Sequence, residues 1–121
     1  MNTILLNNYK IEFQFLPNIN EAIAKQTEVT TKGYPLAVFL TDHPYVNYLN
    51  SEIIPQINNI LAGHMNNNLE RGERVVLTIG NPNSSFTYVS TSIQNVTIPT
   101  VDLKEIILSW IEFLTNHCIV K

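Results

Sequence analysis

Charge is what this chain has least of. Asp, Glu, Lys and Arg make up only 14% of its 121 residues, against about 25% in an ordinary soluble protein. The seven Lys and Arg are scattered and the net charge is -3, so the clustered positive charge that phosphate binding needs is missing and no direct nucleic-acid partner is expected. Cys118 is the only cysteine. It excludes an intramolecular disulfide and gives no reason to invoke an oxidising compartment. The four glycines, at 33, 63, 72 and 80, are isolated, which excludes a glycine-rich loop that cradles phosphate. His43, His64 and His117 show no HxH or HxxxH spacing, so no metal is expected. No apolar run nears the roughly 20 residues that span a bilayer. The run Ile4 to Leu6 is too short for a signal-peptide core and follows no positive side chain. The expectation is a cytoplasmic protein with no membrane span, metal or cofactor.

What stands in place of charge is amide and hydroxyl: 16 Asn and 11 Thr. With 45% hydrophobic residues, a chain of this length can form one core, and the whole of residues 1–121 is read as a single domain. The sequences NSS at 83–85 and NVT at 95–97 match the glycosylation pattern. Such short matches arise by chance in an Asn-rich chain.

Along the chain, Tyr9, Ile11, Phe13 and Phe15 alternate with Lys10, Glu12 and Gln14, the period of a strand with one buried face. Pro17 ends it. In "NINEAIAKQ", Asn18 and Glu21 have the offset of a capping box, which reads as a short helix or an ordered loop. "TTKGYP" reads as a turn into "LAVFL", Leu36 to Leu40, whose unbroken apolar character reads as a strand covered on both faces. Thr41-Asp42-His43-Pro44 then resembles a helix start. The helical reading runs to about Ala62 with a kink at Pro55, Ser51 as a fresh N-cap and Gly63 as the C-cap glycine. "HMNNNLERGE" reads as a surface loop. "RVVLTI" and "FTYVSTS" flank "GNPNSS" as a hairpin, and Gln94-Asn95 is either a bulge or a tight turn into a short strand at Val96 to Ile98.

The most strongly patterned segment is "IPTVDLKEIILSWIEFL", 98–114. Asp102 and Glu105 have the offset of an acidic capping box, and Val101 and Ile106 that of a hydrophobic staple. Leu103, Ile106, Ile107, Trp110, Ile111, Leu114 and Cys118 share one stripe, with Glu105, Ser109, Glu112 and Asn116 on the opposite face. A polar face carrying glutamates would be repelled by an anionic bilayer. The segment is therefore expected to lie on a sheet, with Leu108 and Phe113 at the margins.

No residue cluster spells out a reaction, and no catalytic residue is expected. His117 and Cys118 are neighbours on a helix, so their side chains point about 100 degrees apart, and an inert, partly buried thiol is the expectation. Ser84 and Ser85 in "NPNSSF" lack the glycines of a nucleophile elbow. Glu70-Arg71-Gly72-Glu73-Arg74 reads as a solvated turn or a polar recognition patch. Tyr45 and Tyr48, one helical turn apart, read as core boundary or as interface anchors.

The fold expected is α+β: a single domain with a mostly antiparallel sheet of four to six strands, packed by a kinked central helix and the amphipathic C-terminal helix. "IPTVDLKEIILSWIEFL" after the hairpin "RVVLTIGNPNSSFTYV" resembles the C-terminal half of small cytosolic immunity proteins from bacterial polymorphic-toxin and contact-dependent growth-inhibition systems. The resemblance covers about the last 50 residues. It implies a protein without catalysis that binds a cognate toxin C-terminal domain, often a nuclease, and occludes its active site or substrate surface. Asp42, Glu52, Glu70 and Glu73 are the acidic candidates for that contact, with Tyr45 and Tyr48 as aromatic anchors. The alternative is a small acidic secretion chaperone acting as a homodimer. Such chaperones usually begin with a helix, whereas this sequence begins with the alternating strand "YKIEFQF".

Overall fold

A computed structural model describes residues 1–65, 67–71, 74–89 and 96–119. Tyr9 does not open a strand. Thr3–Asn8 form a short helix, α1, with Asn2 accepting from the Leu5 amide at its start and Tyr9 at its end. Lys10, at φ 58°, turns the chain into β1, Ile11–Leu16.

The segment read as a helix or loop is instead the second arm of a hairpin. β2, Glu21–Gln26, pairs antiparallel with β1 from Leu16↔Glu21 to Ile11↔Gln26. Asn20 closes the turn at φ 50°, a left-handed conformation that Asn tolerates better than most side chains. Ala22 and Ala24 point inward while Glu21, Ile23 and Lys25 alternate with them, so period two overrode the capping-box offset.

"LAVFL" is not a strand. It lies within α2, Gly33–Asp42, whose residues Leu36, Phe39 and Leu40 have no exposed surface. An unbroken apolar run fits a helix buried on all sides as well as a buried strand. The local start signals decide it: the Thr30 hydroxyl accepts from the Gly33 amide at 2.9 Å, and Pro35 sits in the first turn, where its missing N–H is tolerated. Gly33 itself is required, since a Cβ there would collide with the Tyr9 carbonyl and the Thr30 hydroxyl.

Thr41–Asp42 therefore end a helix rather than begin one, and His43 is its C-cap. The next helical run is continuous: α3, Val46–Tyr48, passes through a wide π-turn, Leu49–Ile53, into α4, Ile54–Leu61. Pro55 explains the widening, because a proline ring in a helix clashes with the carbonyl four residues back, here that of Ser51. Ser51 is not a cap; its hydroxyl donates to the Asn47 carbonyl at 2.7 Å. Ile53, Ile57 and Ile60 are fully buried, and Gly63 at φ 81° terminates the run as expected.

Part of the predicted Asn-rich loop is a strand. β3, Asn68–Arg71, forms the edge of a four-stranded antiparallel sheet ordered β3-β4-β5-β6, with β4 at Val75–Ile79, β5 at Asn83–Tyr88 and β6 at Val96–Pro99. The hairpin read around "GNPNSS" is present, with Leu77↔Phe86 paired at its centre. The short strand after Asn95 pairs with β5 through Phe86↔Val96. The predicted strand residues 90–92, Gln94, the Asn95 glycosylation match and Glu73 lie outside the described residues.

The C-terminal helix, α5, spans Thr100–Asn116. Leu103, Ile106, Ile107, Trp110, Ile111 and Leu114 are buried as the stripe predicted. The capping box does not form: Pro99 is the N-cap with no side-chain bond, Val101 is exposed, and the Asp102 carboxylate accepts from the Tyr9 hydroxyl at 2.8 Å. What fixes the helix start is a buried hydroxyl chain, in which Thr100 Oγ1 lies 2.7 Å from Ser84 Oγ and donates to the Gly80 carbonyl. Ser109 is not on the solvent face, since it is buried and accepts from the Asn2 amide at 3.0 Å. Cys118 is exposed, and Ile119 takes the buried place expected of it.

The result is a single α+β domain with two antiparallel sheets and a C-terminal helix. α2 packs against both β2 of the hairpin and β4 of the larger sheet, and α5 reaches β5, β6 and the central helical run. Trp110 fills the middle: it has no exposed surface, meets Phe13 edge-on at 4.9 Å and donates from Nε1 to the His43 carbonyl at 3.1 Å.

Candidate functional site

α2 buries nearly its whole circumference, so the polar and amphipathic residues at its two ends are what reach the surface. Tyr34 in its first turn is 44% exposed; beyond its end Tyr45 is 45% and Tyr48 38% exposed. A chain of contacts joins these positions into one continuous face. The Tyr34 ring lies 6.0 Å from that of Tyr88 at the end of β5. A cleft of about 220 Å³ bordered by Gln26, Tyr34, Val38, Thr41 and Arg74 follows. Arg74 then forks onto Asp42, with Nη2 to Oδ1 at 2.7 Å and Nε to Oδ2 at 3.3 Å.

On the far side of Asp42 is a second cleft, of about 260 Å³, lined by Glu21, Ala22, Thr41, Asp42, Tyr45 and Ile119 among others. Past Tyr45 and one turn of helix, the Tyr48 hydroxyl donates to the Glu70 carboxylate, 2.8 Å from each oxygen. Glu70 pairs with Leu77, so it sits on the core-facing side of the edge strand β3. An inward charge on an edge strand discourages pairing with another chain, and Tyr48 satisfies it. Burial first, then donation to Glu70 and the charges of Glu70 and Glu52, push the Tyr48 hydroxyl up to about 12. Burial and the neighbouring Tyr34 raise Tyr88 as well.

The structure thus brings together Asp42 and Tyr45 in one cleft and Tyr48, Glu52 and Glu70 beside it. It also divides the nominated acids by role. Asp42 is bound by Arg74 and Glu70 by Tyr48, whereas Glu52 is exposed to solvent. Reading the sequence alone missed Glu21, Tyr34 and Tyr88, which arrive from β2, α2 and β5, and placed Arg74, at the start of β4, only within the Glu70 to Arg74 patch. Their signal was weak: tyrosine and arginine are over-represented at binding surfaces, but only folding shows that they adjoin.

Elsewhere the surface is less coherent. A hollow of about 430 Å³ between α1 and the start of α2 mixes Lys10 and Lys32 with Asp102. An apolar groove of about 350 Å³ runs beside Leu6, Phe13 and Phe113. Ser84 serves the buried hydroxyl chain. The His117 ring packs between Phe15 at 4.7 Å and Phe113 at 4.2 Å, with Nδ1 2.9 Å from the Phe113 carbonyl. Among the described residues no three His, Cys, Asp or Glu side chains are grouped to hold a metal ion, and no helix is long and apolar enough to cross a membrane. No protein-family model, curated protein or solved structure matches this chain.

Proposed function

We propose that the protein is a binding protein of the immunity class, which neutralises a cognate bacterial toxin domain, a nuclease being the expected kind, by covering its active site or substrate surface. The observation that supports this most is the face running from Tyr34 and Tyr88 through the Arg74–Asp42 pair to Tyr45 and Tyr48. Tyrosine supplies large contact area with few rotatable bonds, and Arg and Tyr dominate the residues that carry binding energy at protein interfaces. In this reading the tyrosines anchor the toxin, while Glu52 and the rim of the Asp42 cleft present negative charge where the toxin's basic surface would otherwise hold phosphates. The cytoplasm, where such a toxin domain acts, is the proposed location. Co-expression with the product encoded immediately upstream, followed by a pull-down and a growth-rescue assay, tests the reading. Immunity requires a tight one-to-one complex with a toxic domain. A Tyr45→Ala/Tyr48→Ala double variant that folds is expected to lose rescue.

One observation keeps the secretion-chaperone reading as a second. Its main obstacle was a chain that begins with a strand, and α1 at Thr3–Asn8 places a helix first. That reading requires a homodimer that binds an unfolded effector segment, which light scattering on the purified chain distinguishes from a monomer.

A further inference from the structure

The geometry points to an arginine side chain of the partner protein as the occupant of the cleft between Ala22, Asp42 and Tyr45. This deepens the binding-protein reading and rests on it. The Thr27 amide donates to the Lys10 carbonyl at 2.9 Å. That bond sets the phase of the hairpin: Gln26, Ala24 and Ala22 face Ile11, Phe13 and Phe15 as non-bonded pairs, so their own N–H and C=O groups point away from β1. Ala24 confirms the phase, because both of its backbone groups are bonded by the Thr41 hydroxyl. Two residues away, the Ala22 backbone points along the same edge into the cleft, in a residue only 5% exposed, and meets no hydrogen-bond partner among the described residues. A backbone carbonyl left without a partner in so buried a residue calls for a donor.

The rest of the lining has the same preference. Glu21 and Asp42 bring carboxylates, and among the described residues no Lys or Arg lines this cleft. Asp42 is held by Arg74 from the neighbouring cleft, so its position is fixed before a ligand arrives. Tyr45 and Pro44 line the same cleft. A guanidinium meets all of these at once. It is planar, its five donors match a carboxylate and a carbonyl together, and it stacks on an aromatic ring; an ammonium offers one point of charge.

The probe is N-acetyl-arginine amide, titrated into the isotopically labelled full chain and followed by amide chemical shifts, with the neutral citrulline analogue as control. Saturable shifts at Glu21 to Ile23, Thr41, Asp42 and Tyr45 are expected with arginine and not with citrulline. Glu21→Gln and Tyr45→Ala are each expected to weaken binding by about two- to fivefold. Both sites are exposed, and unchanged thermal unfolding verifies that each variant folds. No saturable shift, the same shift with citrulline, or indifference to both variants overturns the proposal. The function reading fails separately: if the upstream product binds wild type and Glu21→Lys equally, the cleft assignment is wrong and immunity stands. If the probe binds and no toxic domain is captured, immunity is wrong and the cleft assignment stands.

Discussion

One hydroxyl on α2 seals the middle of a strand edge on β2. Thr41 Oγ1 accepts from the Ala24 amide at 3.0 Å and donates to the Ala24 carbonyl at 3.1 Å, so a single side chain occupies the place of a neighbouring strand. An unpaired edge is a template for association with another chain, and this contact both docks the hairpin on α2 and closes the edge.

Replacing that hydroxyl with a methyl group of the same shape leaves both Ala24 backbone groups unsatisfied. Thr41→Val is expected to lose about 1–3 kcal/mol of stability, read as a lower urea midpoint with an unchanged slope. Thr41→Ser keeps the bonds and is expected to stay close to wild type. Sedimentation at raised concentration adds a second reading, since the opened edge favours self-association in the valine variant alone. A valine variant as stable and as monodisperse as wild type shows that the hairpin docks without this bond.

Trp110 joins the helices through a bond as well as through volume. Its Nε1 donates to the His43 carbonyl at 3.1 Å, just where α2 ends. Trp110→Ala is expected to cost about 3–5 kcal/mol as a cavity. Trp110→Phe keeps most of the packing but orphans the buried carbonyl, and is expected to cost about 1–3 kcal/mol. Far-UV circular dichroism followed through urea unfolding measures both without relying on tryptophan emission. A phenylalanine variant as stable as wild type means that the bond contributes nothing beyond packing.

Where hydrophobic period is long and regular, sequence and structure agree. The buried stripe of α5, the alternation of Ile11, Phe13 and Phe15, and the hairpin around Pro82 all repeat often enough to fix the element type. The misassigned pieces are short or ambiguous in period. Leu36 to Leu40 is apolar at every position, so no period exists to read, and the start set by Thr30 lies outside the run. The Asn18–Glu21 and Asp102–Glu105 offsets imitate capping boxes because a three-residue offset between two polar side chains also arises by chance. Asp102 was instead drawn to Tyr9, 93 positions away along the chain.

The candidate face shows the same limit more sharply. Tyr45 and Tyr48 are visible as a local pair, one turn apart. Their neighbours Arg74, Tyr88 and Glu21 come from three different strands or strand ends, and no spacing rule links positions across a tertiary contact. Nor does the sequence tell an acid that faces solvent from one such as Glu70, which sits on the inner side of an edge strand and is held by a tyrosine.

The Tyr48–Glu70 bond gives stability a dependence on alkaline pH. The folded-state value of about 12 lies above the ordinary 10.0, so folding favours the protonated phenol. Its contribution is fully present below about pH 10 and is lost as pH rises through about 12. Tyr9 and Tyr88 are also raised, so the informative quantity is a difference. Between pH 10 and 12 the stability of wild type is expected to fall more steeply than that of Tyr48→Phe, and the phenolate absorbance of the folded variant is expected to lack one late-titrating step. Parallel stability curves mean that the Tyr48 hydroxyl is in the same environment folded and unfolded.

The end of α5 predicts a substitution that stabilises. The Ile119 amide bonds to the Leu114 carbonyl at 2.9 Å and the Cys118 amide to the Thr115 carbonyl at 3.1 Å, the paired bonds of a Schellman cap, with Ile119 buried beside Leu114. The residue between them, Cys118, stands at φ 57°, where a side chain is strained and glycine is not. At the end of α4 the same motif has its glycine: Gly63 at φ 81°, with the His64 amide on the Asn59 carbonyl at 2.8 Å. Cys118→Gly is therefore expected to gain about 1 kcal/mol, seen as a higher unfolding temperature. Cys118→Ala removes the thiol while keeping the Cβ, and is expected to gain nothing. Because Cys118 is exposed, a gain in both variants would trace the effect to the thiol rather than to backbone strain, and a loss in the glycine variant would place this residue outside the left-handed conformation in solution.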